Sequence, residues 1–135
     1  MVKGLFAHRH FLDAKRVRDA ILAVEATTTA PLRVTLAPYF WGDAYSVARR
    51  AFQRMRLDRT PDRNGVLFFI VPSRRRFAVF ADAQAHEKAG QEVWDRVARI
   101  MGDALRAGDP TEGVITGIEE AGRHLAKHFP KERST

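Results

Sequence analysis

A chain of 135 residues with 45% apolar and 29% charged side chains has material for one domain around one core. It contains no cysteine, which excludes disulfides, thiolate metal sites and a cysteine nucleophile, and with the last of these cysteine-type phosphatase chemistry. The net charge of +7 favours anionic partners such as nucleic acid, acidic lipid or acidic protein, although a solvated arginine-rich face is the more ordinary account of it.

The opening residues MVKGLFAHRHFLDAKRVRD scatter charges through any apolar run, and His8 and His10 read as solvated. Nothing there resembles a signal peptide, and no stretch is apolar for long enough to span a membrane. The expected location is cytoplasmic, with any membrane association peripheral. Asp13 to Ala26 reads as a capped helix, with Ala14, Val17, Ile21 and Val24 at helical spacing. TTTAP breaks it, and Leu32, Val34 and Leu36 alternate with Arg33 and Thr35 as a strand.

APYFWGDAYS is a loop ending in a cap at Asp43. A helix over 43–56 follows, with Val47, Ala48, Ala51, Phe52 and Met55 inward and Arg49, Arg50, Arg54 and Arg56 outward. After a turn-rich LDRTPDRNG, the run VLFFIV at 66–71 has no polar gap, so both faces of this strand are expected to be covered. PSRRR is too short for a helical crossover, which makes FAVFA at 77–81 an antiparallel return. ADAQAHEK reads as a loop. Gln91 to Leu105 is a helix, ended by Gly108. Asp109 and Pro110 start the last one, with Val114, Ile118, Ala121, Leu125 and Phe129 as its stripe. Gly113, Gly117 and Gly122 let that helix approach a neighbour closely.

The order predicts one α/β domain with its core at about 11–130, a three-layer α/β/α sandwich with about four helices. Its small mixed sheet is a β-α-β unit plus an antiparallel hairpin. Such a sheet has two rims. One carries APYFWGD and SRRR, so Tyr39, Phe40 and Trp41 lie beside Arg74, Arg75 and Arg76, a mixture suited to binding a protein or an anionic surface. The other gathers Asp62, Asn64, Asp82, His86 and Glu87, of which Asp62, Asn64, Asp82 and Glu87 are oxygen ligands of the kind that suit Ca²⁺ or Mg²⁺. The competing reading of these residues is turn formers and helix caps. Glu120, His124 and His128 share one helix face, a weaker transition-metal candidate. No zinc-protease, phosphate-loop, dinucleotide or nucleophile-elbow motif occurs, and Ser46, Ser73 and Ser134 have no evident base.

RNGVLFFIVPSRRRFAVFAD, the ending GDPTEGVITGIEEAGRHLAKHFP and an opening helix running into TTTAPLRV together resemble the TPM domain, over about residue 11 to Pro130. The likeness implies an α/β/α sandwich. It also implies a family with some weak acid phosphatases, some binders of Ca²⁺ or other divalent ions, and some inactive members. Two departures fall on the oxygen-rich rim. Thr28-Thr29-Ala30-Pro31 lacks the acid of the usual first turn, and Ala81-Asp82-Ala83-Gln84 keeps the acid of the later turn but loses both glycines. The leading expectation is therefore a non-catalytic TPM-type binding or scaffold module. A weak divalent-metal-dependent phosphatase is the alternative, and nucleic-acid binding through the basic surface a further one.

Overall fold

The structure is a computed structural model that describes residues 11–37 and 43–131. In chain order these form α1 (Ala14–Glu25), β1 (Leu32–Leu36), α2 (Ala44–Arg54), β2 (Val66–Val71), β3 (Arg76–Ala81), α3 (Ala83–Ala89), α4 (Gln91–Ala107) and α5 (Pro110–His128). Tight 3₁₀ turns occupy Leu57–Arg59 and Pro72–Arg74. The sheet order is β1-β2-β3, with β1 parallel and β3 antiparallel to β2.

All six residues of β2 are buried, as an uninterrupted apolar run between two layers requires. Val66, Phe68 and Ile70 join Leu32 of β1 in the larger core, built with Val17, Trp94, Val97, Met101, Ile118 and Leu125 from the helices. Leu67, Phe69 and Val71 point the other way, onto Ala48, Ala51, Phe52 and Leu57. The two-residue period of the strand thus separates the layers, with α1, α4 and α5 on one face and α2 on the other.

Local signals set the helix ends. Asp13 accepts from the Arg16 backbone N–H, Asp43 from Ser46 and Asp109 from Glu112, each as an N-cap. Gly108 ends α4 in the left-handed region, at φ 82°. A Cβ at Gly113 would stand 2.3 Å from the Ala104 methyl, and one at Gly122 2.5 Å from Val24. Both glycines let α5 pack directly against a neighbouring helix.

Two details differ from the sequence reading. The stretch after β3 is a helix: Asp82 caps α3, Ala85 is its buried residue, and Gly90 at φ 89° ends it. An alanine-rich two-turn helix carries no apolar stripe long enough to show a period. Met55 caps the C-terminus of α2 and is 41% exposed instead of facing the core.

Candidate functional site

The sheet register assembles one rim from distant segments. Leu32 lies opposite Val66, and Val66 opposite Ala81. The Val66 N–H donates to the Pro31 carbonyl at 2.9 Å, and the Asp82 N–H to the Gly65 carbonyl at 2.9 Å. The turn before β1, the loop before β2 and the residue after β3 therefore meet, as an antiparallel hairpin demands.

What they do there is specific to each residue. Asp82, 5% exposed, accepts from Arg63 Nε at 2.8 Å and from Arg63 Nη2 at 2.9 Å, one bond per carboxylate oxygen. It also accepts from the Ala83 N–H at 2.8 Å, as the N-cap of α3. Asn64 is buried, and its Nδ2 donates to Thr29 Oγ1 at 3.1 Å, joining the turn before β1 to the loop before β2. Asp62 opens into a different hollow, beside Lys88 and His128. Glu87 is exposed on α3, and His86 shares a hydrogen bond with Gln91 Oε1 at 2.7 Å. On α5, His124 Nε2 meets Glu120 Oε2 at 3.2 Å, and His128 lines the Asp62 hollow.

Beside the Arg63–Asp82 pair is a hollow of about 400 Å³ between α2, the end of β3 and α3, lined by Tyr45, Arg49, Asp58, Phe80 and His86 among others. Asp58 is one of the lining residues, and its Oδ1 is buried without a hydrogen-bond partner. The bidentate bonds and charge of Asp82, helped by the charge of Asp58, hold the Arg63 guanidinium protonated beyond its ordinary range. Neither Arg63 nor Asp58 was singled out from sequence. The available signal was a lone cation at position 63, flanked by two presumed ligands.

Tyr39, Phe40 and Trp41 lie outside the described residues. Arg74, Arg75 and Arg76 are exposed at the hairpin tip, where Arg75 adopts φ 50°, and Arg75 lines a hollow with Phe11, Arg106 and Pro110.

The arginines of α2 and of the turn just after it form a second surface. Arg49, Arg50, Arg54 and Arg56 are all exposed, and none makes a salt bridge among the described residues. Several arginines elsewhere are paired, Arg16 with Glu112, Arg33 with Glu25, Arg96 with Glu120, and Arg106 with Asp103, whereas Arg18 and Arg99, like those of this segment, make no salt bridge among the described residues. Over residues 43–63 the sequence holds six arginines against three aspartates, and Asp43 is committed to its cap. Tyr45 and Met55, two of the large hydrophobic side chains left exposed, frame the same helix, and Tyr45 rests on Phe80 with ring centroids 5.3 Å apart.

An α/β/α sandwich with this strand order defines the class. The profile of the TPM domain matches residues 7–124, and the chain belongs to that family. The BA42 protein of the psychrophilic bacterium Bizionia argentinensis is similar to it, with 28% identity and a TM-score of 0.84 over 93% of this chain and 88% of that one. The N-terminal domain of the cg2496 protein from Corynebacterium glutamicum shares the fold at 18% identity and a TM-score of 0.65, over 82% and 70% of the two chains. An N-terminal domain from P. gingivalis does so at 14% and 0.68, over 93% and 84%. No curated protein matches the chain.

Likeness to the family implies, for some members, a divalent ion. Such an ion needs several oxygen ligands around one point. Among the described residues no three aspartate, glutamate, histidine or cysteine side chains gather in that way. Asp82 already gives both oxygens to Arg63, and Asp62 and Asp82 open into different hollows. The side chains Asp62, Asn64, Asp82 and Glu87, as arranged, do not fit a divalent site. Among the same residues no helix is long and apolar enough to cross a membrane.

Proposed function

We propose that this chain is a non-catalytic TPM-type binding module that docks on an acidic face of a partner protein through α2. The observation that carries the reading is the row Arg49, Arg50, Arg54 and Arg56, exposed and without salt bridges among the described residues, framed by exposed Tyr45 and Met55. Arginine, tyrosine and methionine are the side chains enriched where proteins meet, whereas lysine is depleted there. The helix Ala44–Arg54 contains no lysine and no acid. Complementary charge speeds encounter and selects the partner, while the tyrosine and methionine offer apolar area to bury.

The test uses a glutamate-rich peptide as a surrogate acidic face, titrated at low and at physiological salt, with duplex DNA and phosphatidylserine vesicles in parallel. Binding to the peptide that weakens with salt is expected, falling by about tenfold or more when Arg49, Arg50 and Arg54 are together changed to Gln. No binding at low salt, or a triple variant that binds like the parent, would remove the proposal. Tighter and steeply salt-dependent binding to DNA would move it to nucleic acid. A metal-dependent phosphatase draws its support from the family alone. Hydrolysis of p-nitrophenyl phosphate that depends on added Mg²⁺ or Ca²⁺ would restore it.

A further inference from the structure

We propose that Arg63 is a built-in cation: its guanidinium holds the place beside Asp82 and Asp58 that a divalent ion would need, and it secures this rim without one. Three observations carry this.

The first is the clamp. Two parallel N–H···O bonds of 2.8 and 2.9 Å saturate a carboxylate that is almost wholly buried, while the arginine itself reaches solvent along half of its side chain. The second is the orphan oxygen. Asp58 Oδ1 is buried without a hydrogen-bond partner, Asp58 and Arg63 line the same hollow, and the charge of Asp58 adds to that of Asp82 in holding the guanidinium protonated. The third is the backbone. Arg63 sits at φ 49°, where glycine or asparagine is the inexpensive choice. An arginine costs more than glycine in that conformation, and here its side chain is the one that clamps Asp82. Its main chain takes part as well. The Arg63 N–H donates to the Thr60 carbonyl at 3.2 Å, and its own carbonyl accepts from the Gln84 and Ala85 N–H groups at 3.0 and 3.3 Å. One residue therefore binds both the cap and the first turn of α3 to the loop before β2. A multivalent ion performs the same joining of loops through oxygen ligands.

The experiment is thermal unfolding of the full chain in EDTA and in millimolar CaCl₂ or MgCl₂, with amide NMR of residues 58–64 and 82–86. The parent is expected to keep the same Tm in all three and to show no amide shifts. Arg63→Gly suits the left-handed backbone and removes only the side chain. It is expected to lower Tm by about 5 °C in EDTA and, with Asp82 and Asp58 released, to regain part of that loss in CaCl₂, with shifts in both segments. A purely structural arginine would lower Tm without creating any ion response. Stabilisation of the parent by either ion, an Arg63→Gly variant as stable as the parent, or one that stays indifferent to both ions, would each overturn the proposal. If Arg63→Gly does not fold, Arg63→Gln carries the same expectations and the same grounds for rejection. Loss of peptide binding by α2 would leave this inference standing, because the two rest on different residues.

Discussion

Among the described residues three arginines, Arg56, Arg63 and Arg75, adopt positive φ, at 61°, 49° and 50°. For a residue with a Cβ such a conformation costs on the order of 1 kcal/mol and persists only where its surroundings enforce it. Arg56 follows the last turn of α2, Arg75 closes the hairpin tip, and Arg63 clamps Asp82. Thr28 does comparable work without strain. It is 2% exposed, and its hydroxyl donates to the Phe129 carbonyl at 2.6 Å while accepting from the Ala30 N–H at 3.2 Å. The end of α5 is thereby held to the turn before β1, where Thr28 also bridges Pro130. Thr28→Val keeps the shape and removes both bonds, leaving a buried N–H without its acceptor. A loss of about 1–2 kcal/mol is expected in urea unfolding.

At the scale of elements, close packing of small residues decides how α5 sits. Gly122 faces Val24 of α1 so closely that a methyl group would stand 2.5 Å from one valine methyl and 2.7 Å from the other. Gly122→Ala is expected to destabilise by about 1–3 kcal/mol through overpacking, since a buried helix pair yields little. Val24→Ala makes room. The double variant should therefore be more stable than the sum of its two single losses, and a double-mutant cycle by urea unfolding measures the coupling. An additive result would mean that α1 simply moves aside. The spacing of Gly113, Gly117 and Gly122 was readable in the sequence, but the identity of the facing residues was not, because it depends on which helix α5 meets. The same limit applied to α3. Its composition, AQAHEKA, suits a helix. Its one buried side chain provides no period, and only the rim contacts of Arg63 and Asp82 show why it starts where it does.

For the whole molecule, charge sets the response to acid. The chain already carries +7, so each carboxylate neutralised below neutral pH adds to its self-repulsion. Glu120 is a carboxylate tied into the helix layer, with its side chain 11% exposed between Arg96 of α4 and Arg123 and His124 of α5. Burial by itself would raise its pKa, but hydrogen bonds from Arg123 and Arg96, the charge of Arg123 and the bond to His124 outweigh it and hold the group below its ordinary value. A depressed folded-state pKa means that the unfolded chain takes up the proton first on acidification. Its stabilising contribution is complete above about pH 4.5 and is lost as pH falls below that through the folded-state pKa. Urea unfolding at neutral pH and across the acid range should show this loss. Glu120→Gln should be less stable at neutral pH and flatter below pH 4.5; an unchanged acid limb would assign the loss to other carboxylates.

Architecture was legible in the sequence because it is written in local periods. VLFFIV could only be a strand covered on both faces, PSRRR was too short to cross the sheet, and Asp13, Asp43 and Asp109 stood where helices begin. Those features determined the layers and the direction of each strand, and so which loops share a rim. Which groups satisfy one another on that rim was decided only by the tertiary structure. A carboxylate in a sequence is equally a metal ligand, a helix cap or half of an ion pair. The choice for Asp82 fell to Arg63, nineteen positions away in the chain, because a charge withdrawn from water takes the nearest counter-charge able to hydrogen-bond both of its oxygens.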